Sequence, residues 1–408
     1  MAGEVTLSCQ MGHDRMQATG GSQLVYMLVE ARPNDSAPGV QTRMPLNLSL
    51  VLDHSGSMKG PKLQAVKDAV KLLIDHMDPN DIISVVIFDD NVHVIVPAQY
   101  AADKAGLKSA MDMIRDGGGT SMSLGMSAGI TELRKYINPS MVNRMVLLTD
   151  GVTYGDADRC RRIADDSRAM GIGIHPLGIG ADWDEDLLDN LGQRSSGMPA
   201  EFIRMPQDAL AIFSQQLQSA AAVMARNVNI TVRLSSGVTP KRAVKVLPLI
   251  GDALPNVLQD RQAVVPLGDL ERGTPQGVLF ELLVDPKPVG TFRIAQAELS
   301  YELANGQVEK ERTDAVVTFS PDPVKPGDAN PVVMNFAEKS TAHRLVTKVL
   351  DEYKRTGRAT VVLSPAVTRM LDPETQRALD QIQAGKQISA EDVKSIGNKT
   401  RKLTQRLE

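Results

Sequence analysis

The feature that most constrains the fold is a series of short apolar runs between residues 46 and 180, with helix-like patterns between them. Four runs are apolar at nearly consecutive positions: LNLSLVL (46–52), IISVVIF (82–88), RMVLLTD (144–150) and IGIHPLGIG (172–180). Such runs are typical of parallel strands whose sheet is covered by helices on both faces. A further strand, VHVIV (92–96), follows the polar turn 89–91, which predicts one antiparallel hairpin. We therefore expect a doubly wound, Rossmann-like α/β domain.

Helical spacing fills the intervals between these strands. Pro61 suits the first position of a helix whose apolar stripe is Leu63, Val66, Val70, Leu73 and Met77. Lys62 falls between the apolar positions of this stripe, which indicates the polar face. Further helices are predicted over 103–115, 123–137, 157–170, 184–191 and 207–225, with a last short strand near Phe202.

The apolar period changes to two after residue 225. Six segments with this period predict an antiparallel sandwich: 228–234, 243–247, 263–267, 278–284, 292–303 and 314–319. The first 32 residues hold two similar segments, VTLSCQM and QLVYMLVEA, and a lone hairpin is only marginally stable in water. We therefore expect the α/β domain to be inserted into an antiparallel β-sandwich domain that also includes these N-terminal strands.

The chain turns helical after the Pro-rich segment PDPVKPGDANP, which is interpreted as a stiff linker. Ser340 is the predicted cap of one helix, and Ser389 with Asp392 predicts a capping box for another. The predicted domains are N-terminal strands (1–42), the α/β domain (43–225), the β-sandwich (226–322), and a linker with a C-terminal helical segment (323–408). The mildly basic stretch 394–406 is either a solvated helix face or a docking surface for an acidic partner.

Charge and composition exclude several classes of protein. The formal net charge is −4 and aromatic residues make up 3%, so phosphate attraction and base stacking are both weak and no nucleic-acid partner is expected. No stretch approaches about 18 uninterrupted apolar residues, so no membrane partner is expected. The first residues lack the apolar core of a signal peptide, and we expect a cytoplasmic protein. Cys9 and Cys160 are expected to be inert thiols.

Oxygen donors follow the ends of the predicted parallel strands. Asp53, Ser55 and Ser57 lie at the end of the first strand, Asp150 ends the central strand, and Thr120 precedes a helix. Ligands bind at this edge of an open parallel sheet. Hard oxygen donors suit Mg²⁺, or Mn²⁺ as its substitute. The alternative is that Asp53 and Asp150 only cap turns or helices, as aspartate often does.

The same five residues resemble a known motif. Asp53-x-Ser55-x-Ser57, Thr120 and Asp150 are similar to the metal-ion-dependent adhesion site of von Willebrand factor type A domains. The strings DHSGSMKG, GGGTSM and VLLTDG resemble the bacterial branch often labelled chloride-channel-like. The resemblance implies that Ser55 and Ser57 bind the metal directly, Thr120 directly or through water, and Asp53 and Asp150 through water. It also implies that a Glu or Asp of a partner protein completes the coordination.

The leading functional hypothesis is a non-enzymatic, intracellular module that binds an acidic residue of a partner protein through Mg²⁺. When the direct ligands are mostly neutral hydroxyls and water, the cation keeps enough charge to attract a carboxylate. The alternative is a metal-dependent hydrolase, for which Asp89, Asp90 and Asp116 are the candidate bases. The lack of a spanning segment argues against an ion channel. The resemblance makes an AAA-type ATPase, a kinase or a phosphatase a plausible class of partner, and the chain has no phosphate-binding loop of its own.

Two further predictions concern the surroundings of this site. Met58, Met122 and Met126 follow the two serine and threonine loops, and they either form an apolar rim around the cation or pack inside the domain. His54 is expected to point away from the metal as a surface or packing residue.

Overall fold

A computed structural model describes residues 4–34, 43–138, 140–253, 258–259, 261–322 and 328–405. The chain divides into two compact units. One consists of Gln41–Asn227 and Glu302–Gln307, and the other of Met1–Val40, Val228–Tyr301 and Val308–Glu408. The first unit is α/β and is inserted in sequence into the second, which contains the mainly antiparallel sheets and the C-terminal helices; Arg15–Gln17 is a strand that pairs parallel in one of them. The predicted fold class is therefore confirmed.

The N-terminal segment forms three strands, β1 (Val5–Met11), β2 (Arg15–Gln17) and β3 (Gln23–Pro33). β1 and β3 pair antiparallel, with Val5 opposite Pro33 and Met11 opposite Met27.

The α/β unit begins with β4 (Leu46–Asp53), whose residues are all buried. Its remaining helices and strands follow in chain order: α1 (Pro61–His76), β5 (Ile82–Phe88), β6 (Val92–Tyr100), α2 (Lys104–Asp112), α3 (Met122–Arg134), β7 (Val142–Thr149), α4 (Ala157–Ala169), β8 (Ile172–Ile179), α5 (Glu185–Ser195), β9 (Glu201–Ile203) and α6 (Ala209–Ala222). The sheet order is β6-β5-β4-β7-β8-β9, parallel except for the β5–β6 hairpin.

Each face of this sheet has its own apolar core. Leu48 and Leu50 of β4 belong to the core that includes Val66 and Val70 of α1. Val51, on the opposite face, belongs to the core that contains residues of α3, α4 and α5. Helices therefore cover both faces, which is why the strands are apolar at consecutive positions.

Helix α3 lies close to the sheet because two of its residues have no side chain. A Cβ atom on Gly125 would lie 2.6 Å from Cδ1 of Phe88, and one on Gly129 would lie 2.5 Å from Cγ2 of Val51. This contact fixes the height of α3 above the sheet, and with it the turn that precedes the helix.

The second unit contains two sheets. Its strands after the α/β insertion are β10 (Val223–Leu234), β11 (Val238–Leu247), β12 (Gly251–Asp252), β13 (Leu258–Gln259), β14 (Gln262–Glu271), β15 (Gln276–Val284), β16 (Gly290–Leu303) and β17 (Val308–Ser320). The strand orders are β1-β3-β15-β11-β12 and β13-β14-β10-β16-β17-β2. The N-terminal strands thus join both sheets, and β3 lies between β1 and β15.

Predicted boundaries of α6, β11 and β17 in this region are wrong. β11 begins at Val238 rather than at residue 243. α6 ends at Ala222 rather than near residue 225, because Val223 already has an extended conformation and starts β10. β17 begins at Val308 rather than at residue 314. Its first seven residues, VEKERTD, alternate only between exposed and half-buried positions, so they show no apolar period.

In residues 328–405, four α-helices follow the last strand: α7 (Pro331–Thr356), α8 (Pro365–Met370), α9 (Pro373–Gln383) and α10 (Ala390–Arg401). Their apolar residues share a core with Leu28, Val244 and Leu279 of the five-stranded sheet. No helix among the described residues is both long enough and apolar enough to cross a membrane.

The predicted cap at Ser340 is wrong. α7 starts at Pro331, and Asn330 caps it by accepting hydrogen bonds from the N–H groups of Val332 and Val333. Ser340 lies inside the helix and is buried. The predicted cap at Ser389 is confirmed, because its hydroxyl accepts the N–H of Asp392 at 3.0 Å.

The structure describes only part of the predicted linker and of the basic stretch 394–406. Residues 323–327 of the predicted linker lie outside the described residues. In the basic stretch, Lys394 is buried and Lys399 donates to Glu374 at 2.6 Å, so part of its charge is used within the chain. The end of that stretch, from residue 406, lies outside the described residues.

Candidate metal site

Three loops meet at the carboxyl edge of the α/β sheet. Residues 54–60 follow β4, residues 150–156 follow β7, and residues 115–121 precede α3. β4 and β7 are adjacent and parallel, so their following loops are neighbours. Backbone hydrogen bonds tie the first loop to the third: Gly56 N–H donates to Gly118 at 3.0 Å, and Gly117 N–H donates to His54 at 2.7 Å.

Asp53 is fully buried, and both of its carboxylate oxygens accept hydrogen bonds from the protein. Oδ1 accepts the N–H of Ser55 at 2.8 Å, and Oδ2 accepts the hydroxyl of Thr149 at 2.6 Å. Burial raises the pKa of Asp53, although the bonds from Ser55 and Thr149 act in the opposite direction. The carboxylate therefore fixes the start of the first loop from below.

The hydroxyl groups come together above Asp53. Ser55 Oγ and Ser57 Oγ are 3.1 Å apart, and Ser57 donates to Oδ1 of Asp150 at 2.6 Å. A Cβ atom on Gly151 would lie 4.0 Å from both Ser57 Oγ and Thr120 Oγ1, so both hydroxyls border the same small space. Ser57 is exposed, whereas Asp150 is fully buried. The cluster is therefore open to solvent at Ser57.

Lys62 also reaches this cluster, a contact that the sequence does not predict. Its Nζ atom donates to Oδ2 of Asp150 at 2.5 Å. The two oxygens of Asp150 are thus held by Ser57 and by an ammonium group. Helical period placed Lys62 on the solvated face of α1. One sequence feature could have predicted the contact with Asp150: Lys62 lies in the first turn of a helix that starts at the same edge of the sheet.

The turn formed by Gly117, Gly118 and Gly119 is held by the residues that connect β5 and β6. Asp89 Oδ2 accepts the N–H of Gly118 at 2.9 Å, and Asp90 Oδ2 accepts the N–H of Gly119 at 2.8 Å. A Cβ atom on Gly117 would lie 2.3 Å from Asp89 Oδ2, so a side chain does not fit there. Burial opposes ionisation of Asp89, but hydrogen bonds from backbone N–H groups lower its pKa overall.

These contacts bear on the predicted catalytic bases. Asp89 and Asp90 accept backbone N–H groups that shape the turn before Thr120, so their observed role is to position that turn. Asp116 is exposed on the same loop.

The loop after β7 also supports Thr120, through two residues that the sequence analysis missed. The hydroxyl of Thr153 donates to Asp156 and accepts the N–H of Met122 at 3.3 Å, and it also lies 3.3 Å from the carbonyl oxygen of Thr120. Asp156 accepts the N–H of Ser123, in the first turn of α3, at 2.8 Å. Both residues are polar members of a loop, and nothing in their spacing distinguishes them from solvated residues.

The methionines do not form a rim. Met58, Met122 and Met126 are each 0% exposed and pack in the domain cores, as the packing alternative predicted. The exposed apolar side chains beside the site are instead Val152 and Tyr154, on the loop after Asp150, with exposed fractions of 44% and 80%.

His54 is a buried packing residue. Its Nδ1 lies 2.8 Å from the carbonyl oxygen of Arg115, in the loop that carries the glycine turn. This agrees with the predicted packing role.

The donor set fits a hard divalent cation. In the part of the chain that the structure describes, no group of three or more His, Cys, Asp or Glu side chains could hold a metal. The cluster instead combines serine and threonine hydroxyls with aspartate carboxylates, the ligand chemistry that Mg²⁺ and Mn²⁺ accept. The thiols of Cys9 and Cys160 are free and lie elsewhere, and burial raises the pKa of each to about 12.

Comparison with known proteins gives the same domain. Residues 47–218 match the family model of the von Willebrand factor type A domain. A Synechocystis protein of uncharacterized function is 32% identical over 273 residues, which make up 65% of this chain and 64% of that protein. Inter-alpha-trypsin inhibitor heavy chain H1 of Mesocricetus auratus is 31% identical over 193 residues, which make up 45% of this chain and 21% of the heavy chain. The chain therefore spans less than two thirds of the length of either relative.

A solved structure resembles the whole chain. A von Willebrand factor type A protein from Catenulispora acidiphila has a TM-score of 0.77 at 16% identity, and the match covers 97% of this chain and 96% of that one. At this identity the likeness concerns the fold alone. It extends beyond the α/β unit to the strands and helices of the second unit.

Proposed function

We propose that this chain, which carries a von Willebrand factor type A domain, is a protein-interaction module that binds an acidic residue of a partner through a divalent cation. Ser55, Ser57 and Thr120 would hold Mg²⁺, or Mn²⁺ in its place, with Asp53 and Asp150 behind them. The cation, when bound, supplies a positive charge at the mouth of the site that attracts a carboxylate. A Glu or Asp of the partner protein would complete the coordination.

One observation carries this proposal: two hydroxyls of the loop after β4 converge with a buried carboxylate at the end of β7, at the open edge of the sheet. Ser57 Oγ lies 3.1 Å from Ser55 Oγ and 2.6 Å from Asp150 Oδ1. Asp53 has both oxygens bonded to the protein, which suits a supporting role rather than direct coordination. Neutral hydroxyls quench little of a cation's charge, so the site keeps its attraction for an anion.

The proposal is non-enzymatic. Asp89 and Asp90, two of the candidate bases of a hydrolase, already accept backbone N–H groups in the glycine turn. Both carboxylates therefore have a structural role, because these contacts shape the turn before Thr120. The exposed Val152 and Tyr154 supply apolar contact area beside the site, which suits a protein surface.

The family branch, the cellular compartment and the class of partner are proposed from the sequence. The strings around Asp53 and Thr120 favour the chloride-channel-like branch of the family. Two free cysteines favour a reducing compartment, and we propose on this ground that the contact forms in the cytoplasm. The partner is proposed to be a protein with an exposed Glu or Asp, of the class of AAA-type ATPases, kinases or phosphatases, rather than a nucleic acid or a membrane.

Metal binding is tested first and without a partner. Protein stripped with EDTA is titrated with Mg²⁺ and with Mn²⁺ in a calorimeter, as the unchanged chain and as Thr120→Ala. Ser121→Ala is the matched control, because Ser121 is adjacent and its side chain makes no capping hydrogen bond. We expect one site per chain, weakened in Thr120→Ala and unchanged in Ser121→Ala. The absence of any binding to the unchanged chain would contradict the proposal.

Partner binding is tested second. Immobilised protein captures proteins from a lysate of the cells that produce it, in Mg²⁺, in EDTA, and as Asp53→Ala in Mg²⁺. Asp116→Ala removes an exposed carboxylate from the same edge and serves as the control. We expect the same proteins to be retained by the unchanged chain and Asp116→Ala in Mg²⁺ and lost in the other two conditions. Equal retention in all four conditions would rule out bridging by the metal.

A further inference from the structure

Lys62 lies beside the buried carboxylate of Asp150, at a helix N-terminus that does not favour a positive charge. Its ammonium group is 2.5 Å from Oδ2 of Asp150, a carboxylate that is fully buried. It stands in the first turn of α1, next to Pro61, and a positive charge at a helix N-terminus opposes the helix dipole. The first turn of α1 has no acidic residue to compensate it. The contact with Asp150 therefore explains this lysine better than the helix does.

The Lys62 side chain passes Gly180 at van der Waals distance and is partly open to solvent. Gly180, which follows β8, has a φ of +74°, and a Cβ atom there would lie 3.6 Å from Nζ of Lys62 and 3.7 Å from its Cε. The Lys62 side chain is 27% exposed, so its ammonium has a path to solvent.

We propose that Lys62 is a built-in counter-cation that holds Asp150 in the metal-free site and competes with the divalent cation for it. This inference rests on the proposed metal site. A buried carboxylate without a partner is costly, so an internal ammonium keeps the empty site folded. The same ammonium repels an incoming divalent cation, so it lowers metal affinity and makes binding an exchange of one cation for another.

The exchange predicts two effects of opposite sign from one substitution. Lys62→Met removes the charge and keeps an unbranched side chain. Without metal it leaves Asp150 buried with one fewer partner, which lowers the melting temperature in EDTA. With Mg²⁺ it removes the repulsion, so we expect the affinity for Mg²⁺ to rise by about tenfold or more. The rise in melting temperature on adding Mg²⁺ is then larger than in the unchanged chain.

Two variants serve as controls. Lys59→Met removes the same charge from an exposed position three residues away in the same segment, so solvent screens its effect. Lys62→Arg keeps the charge and should bind Mg²⁺ within about threefold of the unchanged chain, because the repulsion remains. A purely structural role of Lys62 would lower stability with and without metal and would not raise affinity.

The experiment measures Mg²⁺ affinity by calorimetry and melting temperature in EDTA and in Mg²⁺, on the full chain and its three variants. A higher affinity of Lys62→Met alone, with a lower melting temperature in EDTA, supports the proposal. If the unchanged chain binds Mg²⁺ and Lys62→Met binds it equally or more weakly, the counter-cation role is overturned while the metal site stands. If neither binds Mg²⁺, the metal site itself fails.

Discussion

Thr149 donates its hydroxyl hydrogen to Oδ2 of Asp53 at 2.6 Å, although 96 positions separate them in the chain. The bond continues the register of β4 and β7, in which Leu52 lies opposite Leu148. Asp53 and Thr149 are both fully buried. Because Oδ1 is bonded to the N–H of Ser55, the carboxylate has a protein donor on each oxygen. Asp53 therefore organises the first loop, in which Ser55 is buried and Ser57 is exposed at the opening of the site.

Thr149→Val tests the weight of this bond. Valine keeps the shape of threonine and removes its hydroxyl, so a buried carboxylate oxygen of Asp53 loses its donor and the N–H of Gly151 loses an acceptor at 3.2 Å. We expect the free energy of unfolding of the α/β unit to fall by about 1–3 kcal/mol, measured by denaturant unfolding in EDTA. Thr131→Val, in an exposed position of α3, is the control and should change it by less than about 0.5 kcal/mol. Equal effects of the two variants would show that the bond adds nothing.

Gly117→Ala tests the glycine turn. The new Cβ atom would lie 2.3 Å from Asp89 Oδ2 and 2.8 Å from Cε1 of His54. Asp89 is held by the N–H groups of Gly118 and Asn91, so the turn has to shift instead. We expect a loss of about 1–3 kcal/mol in stability, and weaker Mg²⁺ binding in calorimetry because Thr120 moves with the turn.

Gly21→Ala is the control for the glycine variant. A Cβ atom on Gly21 meets nothing within 4 Å, so neither stability nor Mg²⁺ binding should change. Unaltered Mg²⁺ binding in Gly117→Ala would mean that the turn does not position Thr120 for the metal.

Much of this architecture could be predicted because its causes are local. Consecutive apolar residues in β4 and β7 follow from helices on both faces of the sheet, and Asp53 comes directly at the end of such a run. Parallel strands place their carboxyl ends at one edge, so the neighbourhood of Asp53 and Asp150 follows from topology. That these residues bind a metal stays a prediction.

The parts that could not be predicted depend on contacts distant in the chain. Lys62 occupies a position that periodicity assigns to solvent, and its partner Asp150 lies 88 residues away. The hydroxyl of Thr149 ends an apolar strand, and its role depends on the register between two strands. Asn330 caps a helix at the end of a Pro-rich segment, where composition suggested a linker and moved the predicted start to Ser340.

Removal of residues 1–32 tests the integration of the N-terminal strands. β3 pairs with β15 from Gln276 opposite Ala31 to Val284 opposite Gln23, so its loss leaves a row of unpaired backbone groups in the sheet. We expect the second unit to unfold, seen in calorimetry as loss of a melting transition. An unchanged melting profile would show that these strands are dispensable.

A pair of substitutions in β3 gives a milder test of the same strand. Leu28 is 0% exposed and belongs to the core shared with the C-terminal helices, whereas Leu24 is 51% exposed. Leu28→Ala should cost about 2–5 kcal/mol because it leaves a cavity. Leu24→Ala should cost less than about 0.5 kcal/mol. Denaturant unfolding of the two variants measures both values, and similar losses would contradict the burial of this face.

His343 should make the stability of the second unit depend on pH. Its Nδ1 lies 2.9 Å from Oγ1 of Thr400, between α7 and α10. Burial, and then the charge of Arg401, lower the pKa of His343 to about 4. An unfolded histidine has a pKa of about 6.5, so between these values the unfolded chain binds a proton that the folded chain does not. The stabilisation is complete above about pH 6.5 and is lost as the pH falls toward 4.

The substitution His343→Gln removes this dependence. Between pH 7 and pH 5 the titration of His343 should lower the free energy of unfolding by about 2 kcal/mol, and the variant should show that much less loss than the unchanged chain. His76→Gln changes an exposed histidine of α1 and should leave the loss unaltered. Denaturant unfolding at the two pH values measures these losses. If His343→Gln and the unchanged chain lose equal stability between pH 7 and pH 5, the fold does not resist protonation of His343. If the difference is seen, the packing of α7 against α10 keeps His343 neutral, and acid should loosen the C-terminal helices first.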